Sequence, residues 1–194
     1  KFMALNPTGQ APPQQAAAAV AVGEKLGASV SAILQGIRDV RWDGRFQVLS
    51  KAGPVIVADG AHNPDSMAVL RKTMDQYVQS KHTTIIFGCS GDKELAGIVD
   101  ELCRFATDVI VCASRHPRSM TPEHLAPIFE AAGVPVRIAD DVCSALKTAC
   151  LTTDSADAIV VTGSLFVVAE VLETWNGEEP ERYPELDPKA PVTG

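Results

Sequence analysis

Apolar residues along the chain follow two alternating patterns. The runs Val55–Ala58, Thr83–Cys89, Asp108–Ala113, Pro135–Ile138 and Ala158–Val161 are short, nearly continuous and bounded by turn-forming residues, as buried strands are. Between them the apolar positions recur at helix spacing: Met67, Leu70, Met74, Tyr77; then Leu95, Ile98, Val99, Leu102; then Leu125, Ile128, Phe129; then Val142, Ala145, Leu146, Ala149. A last segment, Leu165 to Trp175, is apolar nearly all round and predicts a deeply buried helix. Phe46–Leu49 and Val55–Ala58 flank Ser50–Pro54 with the spacing of a hairpin. Continuously apolar strands, each followed by a helix, predict a doubly wound α/β fold over residues 41–176: a mostly parallel sheet with helices on both faces.

The flanks read differently. Pro12 and Pro13 suit a helix start ahead of the alanine-rich run Gln14–Leu26, and Val30, Ile33, Leu34 and Ile37 repeat at helix spacing after it. Two helices alone make no core, so residues 1–40 require a partner. The chain opens at Lys1 rather than at a methionine, and we expect it to be a piece of a longer protein. Residues 177–194 are rich in proline and acid and read as a solvated tail.

Composition narrows the function classes. With 194 residues, 46% of them hydrophobic, the chain can form a core without metal or disulfide. A formal net charge of −7 with no Lys/Arg-rich stretch argues against nucleic acid as a partner. No apolar run reaches the ~18 residues of a membrane span. Five cysteines, odd in number and without a C-x-x-C pair, sit in apolar segments and are expected to be reduced, buried thiols of a cytoplasmic protein.

In an open parallel sheet, ligands bind beyond the carboxyl ends of the strands. The polar residues there are Asp59-Gly60-Ala61-His62-Asn63-Pro64, Ser90–Lys93, Ser114-Arg115-His116, Asp140-Asp141 and Thr162-Gly163-Ser164. Asn63-Pro64 is a cap followed by a first-turn proline, which holds Asp59 and His62 at a strand-to-helix turn facing helix N–H groups that attract anions. There Asp59 suits ribose hydroxyls or a metal and His62 suits phosphate; equally, Asp59 could cap the turn and His62 lie incidentally on the surface. Arg45 could stack on a purine or fork onto phosphate, or simply pack its stem on Trp42. Asp92-Lys93 and Thr162-Gly163-Ser164 each read as a ligand contact or as a plain helix start. The chain has no G-x-x-x-x-G-K-[ST] phosphate loop, no G-x-G-x-x-G fingerprint, no H-E-x-x-H and no G-x-S-x-G, and its four histidines lack metal-ligand spacing.

Trp42-Asp43-Gly44-Arg45-Phe46, Asp59–Pro64, Asp92-Lys93-Glu94 and Thr162-Gly163-Ser164-Leu165, taken in order, resemble the C-terminal domain of the folylpolyglutamate synthase / dihydrofolate synthase family of the Mur ligase superfamily, over about residues 9–175. Ser114–Arg118 resembles the same family more loosely. The resemblance implies an ATP-dependent ligase that joins L-glutamate to a folate or dihydropteroate carboxylate through an acyl phosphate. It implies that Arg45 and Asp59 hold the adenosine part of ATP, that His62 lies near the transferred phosphate and the incoming amino acid, and that Ser164 serves the substrate side. The phosphate loop and the Mg2+ ligands would lie in an N-terminal ATPase domain, to which residues 1–40 would contribute the last helices and linker. The chain alone would then be inactive, and in the intact protein Asp59→Ala or His62→Ala would cut turnover severely with little loss of stability, both residues lying in an exposed turn. One departure stands out: the family's G-x-H-Q-x-x-N-A reads here Gly9–Ala16, with Gln15 where an adenine-contacting Asn belongs. That departure favours the alternative, a non-catalytic nucleotide- or partner-binding module on the same fold.

Overall fold

A computed structural model describes residues 16–40, 42–91 and 93–181 in full and the backbone alone of 13–15. Two helices, α1 (Pro13–Lys25) and α2 (Val30–Asp39), come first and pack on each other, with Gly23 close against Ile33. The hairpin β1 (Gln47–Ser50) and β2 (Val55–Ala58) follows, antiparallel as the spacing predicts. The chain then alternates: α3 (Pro64–Tyr77), β3 (Thr83–Phe87), α4 (Leu95–Cys103), β4 (Asp108–Val111), α5 (Pro122–Ala131), β5 (Val136–Ile138), α6 (Val142–Thr152), β6 (Ala158–Thr162) and α7 (Leu165–Asn176). The sheet order is β1-β2-β6-β3-β4-β5, and every pair except β1–β2 is parallel.

Successive strand residues face opposite sides, so each parallel strand feeds two cores. Val57, Ile85, Phe87, Val109, Val111 and Val160 pack under α3, α4 and α5, where Phe87 meets Phe129 edge-on at 5.2 Å. Ile56, Ala58, Ile86, Ile110, Ile159 and Val161 pack under α6 and α7. Strand β6 therefore sends its helix to one face, while its neighbours β2 and β3 send theirs to the other. Such a reversal is where open α/β sheets receive ligands, so the carboxyl rim beside β6, at the turns after β2 and after β6, is the place to look for a site.

Two expectations need correction. Helix α7 is not buried all round: Val167, Val168 and Val171 face the core while Leu165 and Trp175 are 46% and 41% exposed, and the buried face also carries Glu170. Of the five thiols only Cys89 and Cys112 are buried; Cys103 and Cys143 are half-buried and Cys150 is exposed, because the last two sit on helix flanks that turn outward from the sheet. All five are free.

The rim is drawn tight by glycine. Gly163 has φ +101°, and a Cβ there would lie 2.6 Å from the Gly88 carbonyl oxygen and from the Phe87 ring. Gly163→Ala is expected to destabilise by about 2–5 kcal/mol, combining backbone strain with overpacking against a rigid carbonyl. Urea unfolding of the variant checks this, with Gly133→Ala (φ +80°, open space around it) as a control that isolates the strain alone.

Candidate functional site

The carboxyl rim beside β6 is bordered by the turn after β2. Asp59 continues the β2–β6 ladder by donating its N–H to the Val161 carbonyl (2.9 Å), and its carboxylate then bends back. One oxygen accepts the N–H of Phe46 at 2.7 Å and the other the N–H of Ala61 at 2.9 Å. Asp59 thus ties the loop before β1 to the turn after β2. The Gly60 N–H adds a bond to the Gly44 carbonyl at 2.8 Å. Phe46 is the one non-glycine among the described residues with positive φ, +40°, a conformation held by its N–H bond to Asp59.

Arg45 and His62 converge on the Gly60 carbonyl. The Arg45 guanidinium donates to it at 3.4 Å and lies 5.5 Å from the centre of the Trp42 ring. His62 Nδ1 sits 2.8 Å from the same oxygen. A carbonyl only accepts, so Nδ1 carries the proton, and in the neutral ring Nε2 keeps its lone pair. Burial pushes the Asp59 carboxyl above its ordinary 3.8, against the two N–H donors and the nearby Arg45 and His62, which pull it down. The acid, the guanidinium and the imidazole surround one peptide unit.

From the turn after β6, Gly163 donates to the Ala61 carbonyl at 2.9 Å, which locks the two turns together. Ser164, 7% exposed, caps α7 by accepting the Phe166 N–H at 3.2 Å. Leu165 reaches over Gly60, where a Cβ would meet its Cδ2 at 2.3 Å, so any larger residue there would have to displace the Leu165 side chain.

The helix N-terminus of α3 differs from the expectation of N–H groups open to an anion. Pro64 has no donor, Asn63 Oδ1 takes the Ser66 N–H at 2.8 Å, and Ser66 Oγ takes the N–H groups of His62 and Asn63. The cap takes up these donors but not the N–H of Asp65, whose own side chain adds an acid to the first turn. Nor is Asp59 in an exposed turn: it is half-buried and bonded on both oxygens. The Gln15 side chain and Asp92 lie outside the described residues, and Lys93 is half-buried in the loop after β3. Two features of the site were not read from the sequence: Leu165 as a lid on Gly60, and Glu170. The signal for the second was present, as the lone acid in Leu165–Leu172.

A family model described as Mur ligase, glutamate ligase domain matches residues 44–165, which contain Arg45, Asp59, His62 and Ser164. The chain belongs to this family. Within the glutamate ligase domain family, it is 36% identical over 145 residues to a probable bifunctional folylpolyglutamate synthase/dihydropteroate synthase of Haloferax volcanii, covering 74% of this chain and 17% of that protein. Among solved structures it is similar to E. coli FolC in complex with DHPP and ADP, with TM-score 0.80 and 28% identity over 87% of this chain and 40% of that one. A bifunctional folylpolyglutamate synthase/dihydrofolate synthase with Mn, AMPPNP and L-glutamate bound matches at TM-score 0.77 and 30% identity, over 91% of this chain and 42% of that one. The chain therefore spans less than half the length of each of these proteins.

Because Asp59 satisfies two backbone donors at once, Asp59→Ala is expected to cost about 2–4 kcal/mol, from charge-assisted bonds and the N–H groups left unmade. His62→Ala loses one partly exposed contact and is expected to stay within about 1 kcal/mol of the parent. Chemical denaturation of both variants checks the contrast.

Proposed function

We propose that this chain is the C-terminal domain of an ATP-dependent carboxylate–amine ligase that adds L-glutamate to folates, and that its rim beside β6 completes a nucleotide site begun in another domain. The observation that carries the reading is the convergence of Arg45, Asp59 and His62 on Gly60, inside the stretch that matches the glutamate ligase family. Support also comes from the bound ADP, AMPPNP and L-glutamate of the similar structures. Folate or dihydropteroate as the acceptor is the finer part of the proposal. So is a division of the chain at about residue 40, with α1 and α2 belonging to the preceding ATPase domain; most of the expected tail, residues 182–194, lies outside the described residues.

The residues suit these partners in different ways. The Arg45 guanidinium has no carboxylate at ion-pair distance among the described residues, and most of its N–H donors remain for a phosphate or a purine edge. Asp59 holds the turn and keeps lone pairs for ribose hydroxyls, with Gln15 as a further adenine contact if its amide replaces an asparagine. His62, with Nδ1–H given to Gly60, offers Nε2 as a base. Glutamate arrives as an ammonium and must lose a proton before its nitrogen attacks the acyl carbon of the acyl phosphate; the C–N bond forms, the C–O bond breaks, phosphate leaves, and His62 takes up the proton. Ser164 would border the amino acid from the opposite wall.

A divalent metal fits less well here. Among the described residues no group of three or more His, Cys, Asp or Glu side chains could hold one. Mg2+ ligands therefore belong, in this proposal, to the ATPase domain, and nothing in the step above runs through residues of this chain bound to metal. A cytoplasmic location is part of the same proposal; among the described residues no helix is long and apolar enough to cross a membrane.

In the full-length protein Arg45→Ala is expected to raise the KM for ATP about tenfold, one charge-assisted contact, with little change in kcat. His62→Ala is expected to lower kcat about a hundredfold or more with the KM for ATP unchanged, as for loss of a general base. Steady-state kinetics of ADP release separate the two. The 194-residue chain alone should release no phosphate in the presence of ATP, glutamate and dihydropteroate; turnover by the pure chain would contradict the divided site. A full-length protein that binds ATP but never turns over would instead support the non-catalytic reading raised by the departure at Gly9–Ala16.

A further inference from the structure

One acid sits on the buried face of α7. Glu170 is 5% exposed, beside the fully buried Val171 and one turn from Val167. Its Oε1 accepts the backbone N–H of Arg115 at 2.7 Å, and the Arg115 guanidinium lies between Glu170 (3.4 Å) and Glu173. One turn earlier in the same helix, the Phe166 ring stacks on His116, with centroids 3.8 Å apart and planes 20° from parallel. The first two turns of α7 thus grip the loop after β4 at two consecutive residues.

That loop is braced internally. Ser114 donates its N–H to Ser119 Oγ at 2.9 Å, and Arg118 donates its N–H to His116 Nδ1 at 3.2 Å. It also joins the loop after β3, through the Gly91 N–H to the Arg118 carbonyl (3.2 Å) and the Ser90–Ser119 bridge. The turns after β2 and β6 are already locked by Gly163 and Ala61. Glu170 closes this chain of contacts on the β4 side.

Packing does not require a carboxylate there, since an apolar side chain of the same length would fill the place without desolvating a charge. What the carboxylate adds is direction: it fixes one backbone N–H, and with it the path of residues 114–119. We propose that Glu170 is a positioning residue that fastens loop 114–119 to the Ser164 turn, so that the two present a single fixed surface on the amino-acid side of the rim. The amino-acid part rests on the ligase reading above; the fastening itself does not.

Two variants of the full-length protein test it. Glu170→Met keeps the length and removes the acceptor, and Glu170→Gln keeps an acceptor for the Arg115 N–H. In Glu170→Met, hydrogen exchange is expected to accelerate about tenfold or more together at residues 114–119 and at Phe166 and Val168, while the Phe46 and Ala61 amides stay as in the parent. The KM for glutamate should rise about tenfold, with kcat and the KM for ATP within about twofold. Glu170→Gln should restore both. Faster exchange confined to 114–119, or no change at either segment, overturns the fastening. Equal rises in both KM values, or no rescue by glutamine, overturns the positioning role. If Glu170→Met does not fold, Phe166→Leu, which removes the ring stack, must loosen the same two segments together. The exchange readout needs no turnover, so a wrong substrate assignment leaves the fastening decided while the kinetics fail for glutamate alone.

Discussion

Everything at the rim depends on how one carboxylate is held. Asp59 leaves the end of β2, and its two oxygens accept N–H groups from Phe46, thirteen residues upstream, and Ala61, two residues downstream. That double acceptance, together with the Gly60 N–H bond to Gly44, holds Phe46 at positive φ and keeps Arg45 over Gly60. The burial that makes the arrangement rigid also works against the charge, pushing the carboxyl above its ordinary value. The site therefore trades some stability for a fixed geometry at the place where ligands meet this fold.

From that point the constraint passes sideways along the sheet. Ala61 receives Gly163, Gly163 presses on Gly88, the loop after β3 bridges to the loop after β4, and α7 returns to the loop after β4 through Glu170 and Phe166. Each link is short and mostly backbone, which is why glycines stand at the close approaches. Preorganised donors and acceptors of this kind favour a charged reacting centre because they need no reorganisation when charge develops. If the site is divided between two domains as proposed, it would complete its geometry on closure.

The fold was legible because strand and helix periods are local. Val55–Ala58, Thr83–Phe87 and Ala158–Thr162 declare themselves as buried strands by their apolar continuity, and the hairpin by Ser50–Pro54. The candidate site was legible as a set of residues but not as a set of bonds. Sequence placed Asp59 and His62 on one turn and Arg45 near it, yet could not show that Ser66 would take up the donors of the α3 N-terminus, or that Asp59 would face inward to Phe46. Such choices depend on which of several donors a short side chain meets, and that is settled by tertiary approach. The same holds for α7: its period suggested burial on every side, whereas only a partner-dependent contact such as Arg115 explains a buried glutamate.

The most direct test of this account is a pH titration of the amide resonances of Phe46 and Ala61 in the 15N-labelled protein. Both report on the Asp59 carboxylate from separate segments of chain. Because burial raises the folded pKa, the proton binds on going down in pH before the ordinary 3.8 is reached, and the contribution this group makes to stability is greatest below that value and falls as pH rises through the folded pKa. The account predicts that both amide protons shift along one curve with a single midpoint above 3.8. Two different midpoints, or amides that do not respond, would mean that Asp59 does not join these segments.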